Sequence, residues 1–399
     1  MKVGVIGQGY VGLSLAISAA KAGYTVIGYD SNANLVNQLE TGVIKNNIDS
    51  DKVLLDLITN EKYLPTNNPK DLALCKIIVI AVPTPLDEKR NPDISFIYQA
   101  CKVIAENITS EILVVNESTS YPGTLRNIIS KRIFELSSIE HLYASSPERI
   151  DPGNNVWNLN NTPRLIGGLN EISLKAAADF YSAFADEIIL VSSAEVAEMA
   201  KLVENSFRQI NIAFVNELSQ ISRAMNLNIY EILEASATKP FGFMKFLPGP
   251  GVGGHCIPID PTYLAHKAKE VGVPSKFIET ANEINLNMPK YIVSEVIKSF
   301  KGNIADKKVL IIGVTYKKNV NDTRESPAEI IYQLFKSRNI SVDWHDPLVE
   351  EWQNSKSSDF GNYDIGVVAV LHDAINRERL KEIPFVFDCT GELDWAFKL

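Results

Sequence analysis

The chain has 399 residues, enough for two or three domains that each bury a core of their own. With 45% hydrophobic and 22% charged residues it has the balance of a folded globular protein and is too apolar for disorder. A net charge of −9 without a long basic run argues against a nucleic-acid partner, while a small anionic ligand stays open because a local site can be positive on an acidic protein.

Met1-Lys2 leads directly into a strand-like run, Lys2-Val3-Gly4-Val5-Ile6, so no leader peptide is expected. No apolar stretch reaches the ~18 residues of a membrane span. Gly7-Gln8-Gly9-Tyr10-Val11-Gly12 follows the strand, then an alanine-rich helix from Leu13 to Ala22 and a second strand, Thr25 to Asp30. A GxGxxG is weak alone; between strand and helix, with an acid closing the next strand, it specifies a dinucleotide site. Gly7 makes the turn, Gly9 lets a pyrophosphate approach the helix N-terminus, and Gly12 permits close packing. Asp30 can bond a ribose 2′-hydroxyl and would repel a 2′-phosphate, which favours NAD over NADP. A Rossmann-like fold that has lost its nucleotide is the alternative.

Ile77 to Val82 and Ile112 to Glu117 read as further strands of a parallel sheet. They run into Pro83-Thr84-Pro85 and Ser118-Thr119-Ser120-Tyr121-Pro122-Gly123-Thr124. Ligands of open α/β sheets sit at the carboxyl ends of strands, so these loops should border a nicotinamide. Tyr143 to Gly153, containing Glu148-Arg149, is a third such edge; Arg164–Gly168 and Ile188–Val191 complete the domain. Asp87 to Arg90 reads as a surface turn, and Cys75 and Cys101 as core. The four cysteines are far apart, without metal spacing, as expected of reduced thiols in the cytoplasm.

From about Ser193 long helices take over. Lys201 and Asn205 are four apart on one helix face, a solvated pair or a donor pair able to hold a developing oxyanion. A second helix, Asn228 to Ala237, leads to Lys239-Pro240-Phe241-Gly242-Phe243-Met244-Lys245-Phe246, which either stacks a base and holds phosphate or packs as core. Pro248 to Pro261 holds four glycines and four prolines in fourteen residues, so it is neither helix nor central strand. Its glycines, Gly253 among them, allow a ligand close to the backbone. Its one thiol, Cys256, stands beside His255 and four residues before Asp260; a nucleophile in a pre-shaped polar loop is preferred to a buried structural cysteine. Pro274 to Lys298 is an amphipathic helix and a possible dimer seam. Beyond it, Lys308–Lys317, Ser341–Pro347 and Tyr363–Val370 form a second βαβ unit without GxGxxG, with Lys317 and Arg324 as phosphate or carboxylate partners. His345 and His372 read as structural.

Together GQGYVG, VPTP, STSYPGT, SPERIDPG, AKLVENSFR, GPGVGGHCIPIDP and GVTYKKNVNDTRESPA make the chain resemble the nucleotide-sugar 6-dehydrogenases along nearly its whole length. The resemblance extends to the UDP-N-acetylglucosamine branch in SPERIDPG, ATKPFGFMKFLPGPG and His255. It implies an α/β protein with an N-terminal NAD-binding Rossmann domain (1–192), a central helical domain (193–299) and a C-terminal UDP-sugar domain (300–399). It implies two successive NAD-dependent oxidations at C6 of a UDP-N-acetylhexosamine for surface polysaccharide precursors; a homodimer is expected from the length of the Pro274 to Lys298 helix. Thr119 and Asp260 would hold a water that takes the hydroxyl proton. Cys256 would form a thiohemiacetal held by Lys201 and Asn205, then a thioester hydrolysed with help from Glu148. NAD contacts would come from Gly7, Gly9, Tyr10, Val11, Gly12, Asp30, Pro83, Thr84, Thr119 and Arg324. Substrate contacts would come from Glu148, Arg149, Lys201, Asn205, Phe246, Gly253, Lys317 and Arg324.

Overall fold

The computed structural model describes residues 1–42, 51–151, 154, 156–254 and 256–399; His255, and Pro152 and Gly153 of the SPERIDPG stretch, lie outside these. Two compact units result, one of Met1–Glu204 with His266–Val271, the other of Asn205–Ala265 with Gly272–Leu399.

In the first unit the chain runs β1 (Lys2–Ile6), α1 (Tyr10–Lys21), β2 (Thr25–Tyr29), α2 (Ala33–Glu40), α3 (Asp51–Thr59), β3 (Tyr63–Thr66), β4 (Ile77–Ile80), α4 (Ser95–Asn107), β5 (Leu113–Asn116), α5 (Ser130–Ser137), β6 (Leu142–Ser145), β7 (Arg164–Gly168), α6 (Glu171–Tyr181) and β8 (Ile188–Leu190). The eight strands lie in the order β3-β2-β1-β4-β5-β6-β7-β8. All neighbours are parallel except β6 and β7, so the sheet is mixed where a parallel continuation was expected. β1, β4 and β5 are apolar almost throughout because both faces are covered. Val5, Val79 and Val115 pack under α1 and α6, and Ile78, Ile80 and Val114 under α4 and α5. Cys75 and Cys101 are buried, as expected. Asp87 accepts from the backbone of Lys89 and Asn91 and forms the anticipated surface turn.

The chain enters the second unit within α7 (Ala194–Ala224), then forms α8 (Ile229–Ala237), α9 (Asp260–Glu270) and α10 (Lys276–Ser299). The remainder is β9 (Lys308–Ile312), α11 (Pro327–Lys336), β10 (Ser341–His345), β11 (Glu351–Trp352), β12 (Ser355–Lys356), β13 (Ile365–Val368), α12 (Arg377–Leu380), β14 (Phe385–Asp388) and β15 (Phe397–Lys398). A five-stranded parallel sheet, β10-β9-β13-β14-β15, carries α10 and α11 on one face through Val309 and Ile311, and Phe360 and Leu380 on the other through Leu310 and Ile312. Both sheets reverse strand order next to their first strand, and loops at the carboxyl ends beside that point are where an open α/β sheet takes a ligand. Among the described residues no helix is long and apolar enough to cross a membrane.

Candidate active site

In the first unit the glycine loop is shaped by contacts that exclude side chains. Gly7 has φ +92°, and a Cβ there would lie 2.4 Å from the Ala81 carbonyl oxygen; one on Gly12 would lie 1.8 Å from the Gly7 oxygen, whereas Gly9 faces open space. Helix α1 starts at Tyr10, three residues before the predicted Leu13, capped by Gly9 without a side-chain bond. Its first N–H groups can therefore take an anion. The Asp30 carboxylate, at the end of β2, accepts the Gln8 N–H at 2.8 Å and the Asn32 N–H at 2.9 Å. An open loop over a helix N-terminus, with an acid at the next strand end, fits a dinucleotide.

Gln8 was not singled out from the sequence, yet it braces this loop. It is buried, donates to the Val5 and Gly7 carbonyls, and accepts from Tyr63 Oη at 2.8 Å. No local signal marks Tyr63 as its partner, because the two are 55 residues apart.

The VPTP and STSYPGT loops are tied together. Ser118 Oγ accepts from Val82 N and donates to Val82 O, both at 2.8 Å, which ties the residue before Pro83 and Thr84 to the residue before the half-buried Thr119. Glu148 follows β6; Lys201 Nζ lies 3.9 Å from its carboxylate, both side chains about nine-tenths buried. Burial first, then the charges of Glu148 and Asp151, push the Tyr10 phenol up to about 12. Arg149 bonds Glu204 at 2.6 Å and donates to the Pro163 carbonyl. Beneath these loops Arg164, 5% exposed, bonds Glu117 at 2.5 Å, and Glu117 also accepts from Tyr181 Oη at 2.6 Å.

In the second unit, Asn205 Nδ2 donates to Asp260 Oδ2 at 2.5 Å. The Cys256 carbonyl accepts from Asp260 N at 2.8 Å and Ile259 N at 3.0 Å, so the cysteine stands at the head of α9 with Asp260 one turn on. An amide ladder holds the loop before it: Gly249 N donates to Asn216 Oδ1, Asn216 to Asn285, and Asn285 to the Gln209 carbonyl. Asn211, between Asn205 and Asn216 on α7, turns back onto its own backbone at Phe207.

Gly253 and Gly254 are explained by Tyr316. A Cβ on Gly253 would lie 2.8 Å from Tyr316 Cβ, and one on Gly254, at φ +82°, 2.8 Å from the Tyr316 ring. Gly254 N donates to the Arg324 carbonyl at 3.1 Å. The cysteine loop therefore packs directly on the stretch carrying Lys317 and Arg324. The Arg324 guanidinium is 61% exposed and bonds Asp322 at 2.6 Å. That bond chiefly raises its pKa, and Asp322, Tyr316 and Cys256 add charge in the same direction. Phe246 meets Phe207 edge-on at 6.0 Å, the packing alternative for that aromatic run. His372 bonds Asp346 and Thr315 at 3.0 Å and accepts the Asn319 N–H at 2.8 Å, anchoring the Lys317 loop.

Comparison with known proteins agrees with this geometry. The UDP-glucose/GDP-mannose dehydrogenase family is matched three times in order: its NAD binding domain over residues 1–185, central domain over 195–287 and UDP binding domain over 310–394. A UDP-N-acetyl-D-mannosamine dehydrogenase of Methanococcus vannielii is 34% identical over 96% of this chain and 88% of its own. A UDP-N-acetyl-D-glucosamine 6-dehydrogenase of Pseudomonas aeruginosa is 34% identical over 88% of this chain and 83% of its own. The structure of a UDP-D-ManNAc dehydrogenase from Pyrococcus horikoshii superposes with a TM-score of 0.91 over 99% of this chain and 97% of its own, at 29% identity. With family domains matched from end to end and relatives this similar over nearly all its length, the chain belongs to the UDP-glucose/GDP-mannose dehydrogenase family and is an NAD-dependent nucleotide-sugar dehydrogenase.

Proposed function

We propose that the chain oxidises the C6 alcohol of UDP-N-acetylglucosamine to the carboxylate, for surface polysaccharide precursors, with Cys256 as nucleophile. The observation that carries the chemistry is the head of α9, where Cys256 stands one turn from an Asp260 that is bonded to Asn205. Bound NAD, held by Gly7, Gly9, Tyr10, Val11, Gly12 and Asp30 and bordered by Pro83, Thr84 and Thr119, supplies the hydride acceptor twice per sugar. In the first oxidation a water held by Thr119 and Asp260 takes the C6 hydroxyl proton as hydride leaves carbon, giving the aldehyde. The Cys256 thiolate adds to that carbonyl, and the Lys201 ammonium and Asn205 amide donate to the resulting oxyanion. Loss of a second hydride from the adduct gives a thioester. Glu148 then assists water in displacing the thiolate, releasing carboxylate and regenerating Cys256. Each alcohol thus consumes one water and two oxidised cofactors and yields three protons.

Arg149, Phe246, Gly253, Lys317 and Arg324 are assigned to the sugar nucleotide, and Arg324 also to NAD. The acetamido sugar is supported by SPERIDPG, by ATKPFGFMKFLPGPG and by the Pseudomonas relative. UDP-N-acetylmannosamine is the second reading, favoured by the names of the Methanococcus and Pyrococcus relatives. A homodimer is supported by Phe207, Phe214 and Ile221, a stripe of α7 left exposed. A cytoplasmic location is supported by the wide spacing of Cys75, Cys101, Cys256 and Cys389, which is that of reduced thiols and not of a disulfide framework. The test is a screen of UDP-glucose and the three UDP-N-acetylhexosamine epimers, counting NADH per sugar. Two NADH on UDP-N-acetylglucosamine, with acid formation abolished by Cys256→Ser, is expected. One NADH per sugar, or acid formed by Cys256→Ser at the normal rate, overturns the mechanism.

A further inference from the structure

The buried carboxylate of Glu198 has no part in the chemistry proposed above, yet it is 1% exposed in the first turns of α7. It accepts the backbone N–H of Gly123 at 2.6 Å and of Leu125 at 2.8 Å, and Ser120 Oγ reaches it at 3.4 Å. Ser120 and Gly123 belong to the loop after β5, and Leu125 opens the turn that ends it. The same loop is pinned at its start, where Asn116 Nδ2 donates to the Ser118 carbonyl at 3.1 Å and to Ser120 Oγ at 3.2 Å. At its far end it feeds a single π-helical turn, Leu125–Ile129, an irregularity that frequently accompanies functional sites. Thr119 thus sits between two anchored serines, and its place is set by groups other than its own side chain.

A structural requirement for volume would be met by leucine or methionine at this position. Neither could accept the two N–H groups, which burial away from water would then leave unpaired. Glu198 is also three residues from Lys201 on the same helix, and Lys201 meets Glu148. One short stretch of α7 therefore holds the Thr119 loop and the ammonium beside Glu148.

We infer that Glu198 is a positioning residue for the first oxidation: its carboxylate fixes the loop that carries Thr119, and with it the water that takes the C6 hydroxyl proton. The inference rests on the function proposed above. The second oxidation starts from a thiol adduct and does not use that water, so loss of the grip should separate the two steps.

The test uses full-length Glu198→Gln and Glu198→Ala at pH 8.5, with the sugar nucleotide and its C6 aldehyde assayed separately. Alcohol oxidation is expected to fall on the order of 100-fold in Glu198→Ala, less in Glu198→Gln, while aldehyde oxidation changes by less than about threefold. Thr119→Ala should show the same partition. Without substrate or cofactor, amide exchange at Gly123 and Leu125 should quicken roughly tenfold in the variants while the core of β4 and β5 stays protected. Equal loss of both activities, unchanged alcohol oxidation, or unchanged exchange at the two amides each overturns the inference. If the wild type oxidises neither compound, the proposed function fails and the exchange measurement alone decides the role of Glu198.

Discussion

Glu198 is held by opposing forces, and pH should reveal which is stronger. Burial raises its carboxyl from the ordinary 4.5 to about 7, against the lowering effect of the Leu125 and Gly123 N–H groups and Ser120, while the nearby charge of Glu195 adds to the rise. Charging it inside the fold thus costs about 3 kcal/mol at pH 8. The sign follows from which state holds the proton. Below about 4.5 both folded and unfolded chains are protonated, and the stabilisation is present in full. Between 4.5 and 7 the folded protein keeps a proton that the unfolded chain has lost, so stability falls with rising pH by up to about 1.4 kcal/mol per pH unit; above 7 the loss is complete. Glu198→Gln lacks this titration. Arg126, paired with Glu195 at 2.6 Å, and Tyr121 face the same loop and are common to both proteins, so their titrations cancel in a difference. Thermal unfolding of wild type and Glu198→Gln from pH 5 to pH 8 should show the wild-type advantage shrinking by about 2–3 kcal/mol, or roughly 5–10 °C for a unit of this size. A difference that stays flat, or grows with pH, would mean the two N–H groups outweigh burial, and the reasoning is then wrong. If it holds, the loop is gripped best at the pH where the grip destabilises the fold most.

The cysteine loop and the buried arginine offer independent checks. Gly254→Ala places a Cβ 2.8 Å from the Tyr316 ring at φ +82°, so it should cost about 1–3 kcal/mol and displace the loop; turnover is expected to fall further than the melting temperature implies, and wild-type kcat in a soluble variant would count against this packing. Arg164→Met strands Glu117 in the core and should cost about 3–5 kcal/mol, read as a fall of roughly 10 °C in the unfolding of the first unit; adding Glu117→Gln should recover part of it, and a melt unchanged by the single substitution would refute the buried pairing.

The chain spells out its local chemistry legibly. Gly7, Gly9 and Gly12 between a strand and a helix, with Asp30 after the next strand, mark a dinucleotide loop because φ, close approach and helix dipole are properties of adjacent residues. The glycines and prolines around Cys256 mark a rigid loop for the same reason, and the seven motifs in order point to the family. Other features depended on which loops the fold brings together. Gln8 needs Tyr63, Glu198 needs Gly123 and Leu125 some 75 residues away, and His372 needs Asp346 and Asn319. A glutamine, glutamate or histidine reads the same in the sequence whether or not such a partner exists. The antiparallel pairing of β7 with β6 is not legible in the sequence either, because an apolar strand pattern records burial and not direction. Sequence determined the local shapes and the reactive groups; tertiary structure alone decided which buried charges hold them in place, since those bonds join segments far apart along the chain and no periodicity encodes them.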